Sequence, residues 1–259
     1  MRRAPDAYGF VGAGEITAAI VKGLHADVDD PPEIFLSPRG ERTAHELANR
    51  FPGVHVCDSN QDVLDNATTI VLAVRPPIAR NLLEELSFQP HQVLMSAVAG
   101  VQLERLRGWA EQAGHIVRVI PLPQATHRQS LTAVYPDNTA ARDLFDRVGG
   151  VVIPDDERAF EALSAVTATF AAHLDYLATI ARWATDHGVD PRAATAYTTH
   201  IFGQLGQSLL CGNDPLVELT AKHTTPGGNN EQFMKDLRQD GFPDTVRRAL
   251  DRILTHLSR

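Results

Sequence analysis

Cysteine and long apolar runs are scarce in this sequence, and each scarcity excludes a class of protein. Only Cys57 and Cys211 are present, with no metal-ligand spacing around either, which argues against a disulfide framework or a zinc site. No apolar run approaches the roughly eighteen residues of a membrane span, and no apolar signal segment follows Met1. We therefore expect a cytoplasmic protein that holds no metal.

Positive charge is also in short supply. The formal net charge is −8, with 24 Lys and Arg residues against 32 Asp and Glu residues. Nucleic acids and anionic membranes bind basic faces, so neither is expected as a partner. A phosphate or carboxylate ligand must instead be bound by particular arginines, backbone amides and helix ends. We expect the partner to be a small molecule.

The stretch 8–20 has the pattern of a nucleotide-binding turn. Residues 8–11 are mostly apolar, as a buried parallel strand requires, and the apolar positions from Ile16 onward fall at helical spacing. Gly12-Ala13-Gly14 joins the two. Such a turn brings backbone close to a pyrophosphate and presents a helix N-terminus to it, although the third glycine of the usual G-x-G-x-x-G pattern is Thr17 here. A tight turn without a ligand is the alternative.

The residues after the second predicted strand, 33–36, indicate which dinucleotide is bound. This position reads the adenosine ribose, and an Asp or Glu there selects NAD. The sequence has Ser37-Pro38-Arg39 instead, with no acid and with an arginine suited to a 2′-phosphate. NADP (NADPH) is therefore favoured over NAD. The alternative is a solvated loop arginine.

Short apolar runs alternate with helical patterns through the first 153 residues. Further strands are predicted at 54–56, 69–74, 93–98, 116–120 and 149–153, with helices at 41–51, 80–86, 103–112 and 138–148. Repeated alternation of this kind predicts an α/β fold with an open, mostly parallel sheet and helices on both faces. Ligands of such sheets bind beyond the C-terminal ends of the strands.

From residue 154 onward the pattern contains helices only. One long helix is predicted over 158–187, and Asp190 with Pro191 begins a second that reaches about Cys211. Both carry more apolar surface than a lone bundle would bury, which indicates a helix-rich dimer interface. We therefore predict two domains, 1–153 and 154–259, the second an all-α dimerisation domain. Packing of these helices against the first domain is the alternative.

A second glycine turn, Thr225-Pro226-Gly227-Gly228-Asn229-Asn230, precedes another predicted helix. A glycine pair ahead of a helix N-terminus makes an anion-binding concavity that suits a carboxylate. Either asparagine is expected to act as the N-cap, and a plain capped loop is the alternative. The turn therefore offers a hydroxyl donor and a set of backbone N–H groups to a small anionic ligand.

In their order along the chain, these segments resemble the pyrroline-5-carboxylate reductase family over nearly the whole length. The matching segments are Gly9-Phe10-Val11-Gly12-Ala13-Gly14, Asn60, Leu72-Ala73-Val74-Arg75-Pro76, Ser96-Ala97-Val98-Ala99-Gly100-Val101, Val117-Arg118-Val119-Ile120-Pro121 and Thr225-Pro226-Gly227-Gly228. The resemblance implies a Rossmann-type domain that binds NADPH, a helical domain that interlocks with that of a partner protomer in a homodimer, and reduction of a cyclic imine. It leaves higher assembly open.

The predicted site residues lie at the strand ends of the first domain, at the second glycine turn and on the long helix. Cofactor binding is expected of Gly12, Ala13, Gly14, Glu15, Ile16, Ser37, Arg39, Asn60, Ala73, Val74, Arg75, Pro76, Ala99 and Gly100. Substrate binding is expected of Thr225, Gly227, Gly228, Asn229 and Asn230. The expected catalytic residues are Asn230, Thr225 and His173.

The sequence departs from the family pattern on the substrate side. The family's P-N-T-P-A is Pro121-Leu122-Pro123-Gln124-Ala125 here, and Asn230 stands where the family has a hydroxyl facing the imine nitrogen. We therefore expect a divergent NADPH-dependent oxidoreductase that acts on the C=N bond of a small cyclic imine carboxylate. The alternatives are a reductase of a carbonyl acid, which would need a proton donor such as His173 or His127, and a non-catalytic NADPH-binding regulator.

Overall fold

The computed structural model of the chain describes residues 7–26, 28–212 and 214–257. Two units are distinguished by their internal contacts. One comprises Met1–Ser164 with Leu254–Arg259, and the other comprises Ala165–Ile253. The C-terminal residues of the last helix therefore belong with the sheet-containing unit.

One eight-stranded sheet organises the first unit. Its strands are β1 (Ala7–Val11), β2 (Glu33–Leu36), β3 (Val54–Val56), β4 (Thr69–Leu72), β5 (Val93–Ser96), β6 (His115–Ile120), β7 (Ser130–Tyr135) and β8 (Gly149–Val152). The order is β3-β2-β1-β4-β5-β6-β7-β8, and every neighbouring pair is parallel except β6 with β7. Strand order reverses between β1 and β4, and dinucleotides bind above the strand ends at such a reversal.

Helices cover both faces of this sheet. They are α1 (Glu15–His25), α2 (Glu41–Arg50), α3 (Asn60–Asn66), α4 (Pro76–Glu84), α5 (Leu103–Trp109) and α6 (Thr139–Asp146). Side chains of a strand alternate between faces: in β4, Val71 belongs to one buried apolar cluster, whereas Ile70 and Leu72 belong to the other. The predicted α/β fold with a mostly parallel sheet is confirmed.

The strand β7 was not among the predicted elements, because its buried positions are polar. Ser130 and Thr132 are fully buried and their hydroxyls lie 3.0 Å apart, while Leu131 between them is 60% exposed. The pattern is therefore the inverse of an ordinary half-buried strand. Three short helical elements were missed as well: α3, a 3-10 turn at Pro123–His127 and α10 (Leu216–Lys222).

Only helices follow β8 in the described part of the chain. They are α7 (Glu157–Thr167), α8 (Thr169–Asp186), α9 (Pro191–Cys211), α10, α11 (Asn229–Gln239) and α12 (Phe242–Leu257). The predicted cap of α9 is present, since Asp190 accepts hydrogen bonds from the N–H groups of Arg192 and Ala193. The helical C-terminal half of the predicted fold class is thus confirmed.

The prediction of one continuous helix over 158–187 is wrong, because the structure has two helices that are separated at Ala168. The Ala168 N–H donates to the Ala165 carbonyl at 3.1 Å, a tight i−3 bond, and the Thr169 hydroxyl donates to the Val166 carbonyl at 2.8 Å. These bonds divert the helical ladder, so α7 ends at Thr167 and α8 begins at Thr169.

The second unit exposes large apolar side chains when the chain is considered alone. Leu210 and Val217 are each 81% exposed, and Tyr197 and Leu216 are each 71% exposed. Exposure on this scale is typical of a surface that another protein surface covers. Within the described ranges, no helix is both long and apolar enough to cross a membrane.

Candidate functional site

The first glycine turn lies at the C-terminal end of β1, beside the reversal of strand order. Gly12 has a φ of +105°, and a Cβ added to it would lie 2.4 Å from the Ala73 carbonyl oxygen. Gly14 is the N-cap of α1 with extended backbone, and a Cβ there would meet no atom within 4 Å. Packing therefore requires glycine at position 12, whereas at Gly14 the space beside the backbone is free of other protein atoms. An open helix N-terminus fits a pyrophosphate.

Two buried hydroxyls hold this turn. The Gly12 N–H donates to Ser37 Oγ at 2.8 Å, and Thr17 Oγ1 donates to the Gly12 carbonyl at 2.6 Å. Both side chains are fully buried. Ser37, which was expected to contact the cofactor, thus stabilises the turn through a buried hydrogen bond to its backbone. No role in the turn was predicted for Thr17. Its hydroxyl, at the position of the third glycine of the usual motif, is the sequence feature that could have indicated one.

The segment after β2 crosses the turn and leaves Arg39 beside it. The Ala13 N–H donates to the Arg39 carbonyl at 3.3 Å, so the contact uses backbone and leaves the side chain exposed. Gly40, with a φ of +93°, allows this approach because a Cβ there would lie 2.6 Å from the Ala13 carbonyl oxygen. Gly40 is thus the second residue at this site, after Thr17, that was not predicted from the sequence. Arg39 stands where a dinucleotide fold places the adenosine ribose.

The other predicted cofactor residues lie along the same edge of the sheet. The Ala73 N–H donates to the Val11 carbonyl and the Ala97 N–H to the Leu72 carbonyl, both at 2.9 Å, so the segments after β4 and β5 run beside the first turn. The structure thus brings the predicted cofactor residues to one edge: Glu15 and Ile16 open α1, Asn60 opens α3 after β3, Ala73, Val74, Arg75 and Pro76 follow β4, and Ala99 and Gly100 form the turn after β5.

Cys57 lies next to this edge, directly after β3. Partial burial, together with the nearby carboxylates of Asp62 and Asp58, raises the pKa of its thiol. The thiol therefore stays protonated at neutral pH and is a poor nucleophile. Among the described residues, no group of three or more His, Cys, Asp or Glu side chains is arranged to hold a metal ion.

The second glycine turn belongs to the helical unit. The Gly228 N–H donates to the Thr225 carbonyl at 2.9 Å, and Gly227 has a φ of +74°, as the third position of a type II turn requires. Pro226 is the preferred residue at the position before it. Gly228 is the N-cap of α11, so the prediction of an asparagine N-cap is wrong: both asparagines lie inside the helix, because Gly228 already supplies the extended residue.

Side chains from the first turn of α11 are bonded to the loop itself. Asn230 Nδ2 donates to the His223 carbonyl at 2.9 Å, and the Gly227 N–H donates to Glu231 Oε2 at 2.7 Å. The amide expected to face an imine nitrogen thus also holds the loop to the end of α10. Glu231 was missed, although a glutamate three residues after an N-cap is placed to reach back in this way. The Thr225 side chain is exposed.

His173 lies on α8, in a cluster of aromatic rings. Its ring centroid is 6.5 Å from that of Tyr176 and 6.2 Å from that of Phe202, and the last two rings meet edge-on at 6.0 Å. His127 is exposed in the 3-10 turn. The three expected catalytic residues are therefore all in the helical unit, two at the glycine turn and one among aromatic rings on another helix.

Comparison with known proteins finds matches to both parts of the chain. Residues 7–100 match a family model described as NADP oxidoreductase coenzyme F420-dependent, and residues 157–258 match one described as pyrroline-5-carboxylate reductase dimerisation. The pyrroline-5-carboxylate reductase of Pseudomonas aeruginosa is 27% identical over 252 residues, which cover 93% of this chain and 92% of that protein. These matches support membership of the pyrroline-5-carboxylate reductase family.

Solved structures of this family share the fold. The reductase of Coxiella burnetii superposes with a TM-score of 0.83 at 24% identity, covering 98% of each chain. A Plasmodium falciparum pyrroline carboxylate reductase with NADP bound superposes with a TM-score of 0.77 at 17% identity, covering 98% of this chain and 97% of that one. The predicted family and enzyme class, an oxidoreductase, are confirmed; a nicotinamide cofactor and an oligomerising helical unit are in keeping with the family.

Proposed function

We propose that the protein is an NADPH-dependent reductase of a small cyclic imine carboxylate, like the pyrroline-5-carboxylate reductases that it resembles. The observation that carries this proposal is the open glycine turn at the β1 strand end, in a chain whose two units both match family models. The residues that depart from the family pattern lie on the substrate side. We therefore expect the substrate to be an imine related to pyrroline-5-carboxylate, and it need not be pyrroline-5-carboxylate itself.

The residues present at the first turn fit a dinucleotide. Gly14 leaves space above the N-terminus of α1, where N–H groups and the helix dipole attract a pyrophosphate. The exposed Arg39 and the absence of an acid in Ser37-Pro38-Arg39 support NADPH over NADH. When bound, the nicotinamide supplies the hydride that reduces the imine carbon. The chain's own residues position it and shape its surroundings.

The second glycine turn supplies the substrate contacts in this proposal. The first N–H groups of α11 have no intrahelical acceptor and suit a carboxylate. The exposed Thr225 hydroxyl is the donor to the ring nitrogen of a neutral imine, whereas the Asn230 oxygen accepts from the N–H of a protonated one. One amide hydrogen of Asn230 is already used on the His223 carbonyl, which fixes the direction of that side chain.

We propose that domain 154–259 assembles the protein as a homodimer, with domain 1–153 binding the cofactor. The exposed apolar side chains of α9 and α10 support this, because isolated chains seldom leave such residues in water. Light scattering after size exclusion should give twice the chain mass of 28.3 kDa or a multiple of that. A monomer at micromolar concentration would contradict the proposal.

NADPH oxidation with a panel of cyclic imines and keto acids tests the activity. We expect five- and six-membered cyclic imine carboxylates to be reduced fastest. Faster turnover of a keto acid, lost on replacing His173 or His127, would identify a carbonyl reductase. Tight NADPH binding without oxidation on any compound would instead identify a non-catalytic NADPH-binding protein.

A further inference from the structure

Arg118 is a buried charge that the proposed chemistry does not use. It lies near the end of β6 and is 1% exposed. Its Nη1 is 2.8 Å from Glu157 Oε1 and 2.6 Å from Glu161 Oε1, and its guanidinium lies 4.6 Å from the centroid of the Phe160 ring. Arginine is almost never fully buried unless it is paired, and here both partners come from the first turns of α7.

One arginine faces two carboxylates, and Glu161, only 3% exposed, has no hydrogen-bond partner for either oxygen among the described residues despite the close ion pair. Removing charges from water costs free energy that a buried ion pair often fails to recover, and apolar residues of similar volume are commonly as stable. A buried cluster of this kind is therefore expected to hold neighbouring groups in place.

Glu157 connects the cluster to the turn after β5. The same Oε1 that contacts Arg118 accepts the Leu103 N–H at 2.7 Å. Leu103 is the first residue of α5, and its N-cap Gln102 provides no side-chain cap. Glu157 thus caps a helix 54 residues away in sequence. Three residues before Leu103 lies Gly100, whose φ is +71°.

The turn at Ala99-Gly100 lies in the nicotinamide half of the predicted cofactor site. In a doubly wound sheet each half binds one mononucleotide, and the halves meet where strand order reverses. The β1–β2 side carries Arg39 and therefore the adenosine, so β4 and β5 serve the nicotinamide. A carboxylate that fixes the start of α5 also fixes the turn that leads into it.

We propose that Arg118 and Glu157 are positioning residues that hold the Ala99-Gly100 turn for the nicotinamide half of the cofactor. Arg118 orients the carboxylate, and the carboxylate caps α5. Among the described residues, Glu161 forms an ion pair with the arginine and no hydrogen bond to the turn, so it is the matched control. This inference rests on the proposed function, because it requires the protein to bind NADPH.

The test compares two ligands that differ only in the nicotinamide. For each full-length variant, Kd is measured for NADPH and for 2′-phospho-ADP-ribose. Glu157→Ala should weaken NADPH about tenfold, the value of one hydrogen bond to a charged group, while the fragment changes by less than about twofold. Glu157→Gln, which keeps an acceptor for Leu103, should restore most of the NADPH affinity. Glu161→Gln should leave the ratio of the two Kd values at that of the wild type.

Equal weakening of both ligands by Glu157→Ala, or no weakening of either, would overturn the inference, as would an equal change of the ratio in Glu161→Gln. If Glu157→Ala does not fold, Arg118→Lys provides a second test. A lysine offers one point charge where the guanidinium reaches two carboxylates, so the Kd of NADPH divided by the Kd of 2′-phospho-ADP-ribose should rise in this variant as in Glu157→Ala. Wild-type protein that binds no NADPH would overturn the proposed function together with this inference, and the wild-type titration reveals that case separately.

Discussion

The backbone N–H of Gly12 donates to the hydroxyl of Ser37 at 2.8 Å, across 25 residues of sequence. Gly12 belongs to the turn after β1 and Ser37 to the segment after β2, which also carries Arg39. The bond therefore holds the predicted phosphate turn and the predicted adenosine-reading segment in one arrangement. Because both residues are buried, water does not replace the acceptor if the hydroxyl is lost.

Ser37→Ala tests this bond. The substitution leaves the Gly12 N–H buried without its acceptor, which should lower the free energy of unfolding by about 1–3 kcal/mol. We also expect weaker NADPH binding, since the turn loses its support. Urea unfolding and an NADPH fluorescence titration measure the two effects. The exposed Ser87→Ala is the control, and an equal effect there would contradict the explanation.

The two glycines of the first turn should respond differently to alanine. Gly12→Ala adds a Cβ 2.4 Å from the Ala73 carbonyl oxygen at a φ of +105°, so we expect a loss of stability of roughly 1–3 kcal/mol or more. Gly14→Ala meets nothing in the protein, and should cost no more than about 1 kcal/mol as a poorer N-cap.

The same pair separates folding from binding. The Cβ of Gly14→Ala would occupy the approach to the helix N-terminus, so NADPH affinity should fall roughly tenfold or more while the melting temperature hardly changes. Calorimetric titration and thermal unfolding give the two values. Normal NADPH affinity in Gly14→Ala would show that the pyrophosphate does not lie over this turn.

Arg39→Ala tests the preference for NADPH. Loss of hydrogen bonds to a charged group should weaken NADPH by about 10- to 100-fold and leave NADH nearly unaffected. The backbone carbonyl of Arg39, which accepts from Ala13, stays in place. Arg42→Ala, an exposed arginine on α2, is the matched control. Equal losses for the two cofactors would refute the 2′-phosphate role.

Asn230→Ala tests the second glycine turn. Removing the amide frees the loop from the His223 carbonyl and deletes the acceptor proposed for a protonated imine. We expect a higher KM for the imine and a lower kcat, with the Kd of NADPH unchanged because the proposed cofactor site is in the other domain. Asp240→Ala, an exposed residue directly after α11, is the control. Unchanged imine kinetics would contradict a substrate role for this turn.

Local patterns sufficed for much of the architecture. Alternating apolar runs and helical patterns predicted the mostly parallel sheet and the helical second half, because burial of strands and helix faces leaves a periodic trace. That trace fails where polar groups are buried in pairs. The hydroxyls of Ser130 and Thr132 are hydrogen-bonded to each other inside β7, and the strand was missed because these buried positions are polar. At Thr169 a local hydrogen bond ends a helix that the apolar periodicity continues.

The sequence by itself determined the fold class, the family and the position of the glycine turn, since each depends on residue order and spacing. Only the tertiary structure decided what several side chains do. Ser37 supports the turn from behind, Asn230 holds its own loop, and Arg118 is buried between two glutamates. Two of these contacts join residues 25 and 39 positions apart. The direction of a side chain depends on which distant segment packs against it, and local spacing carries no information about that.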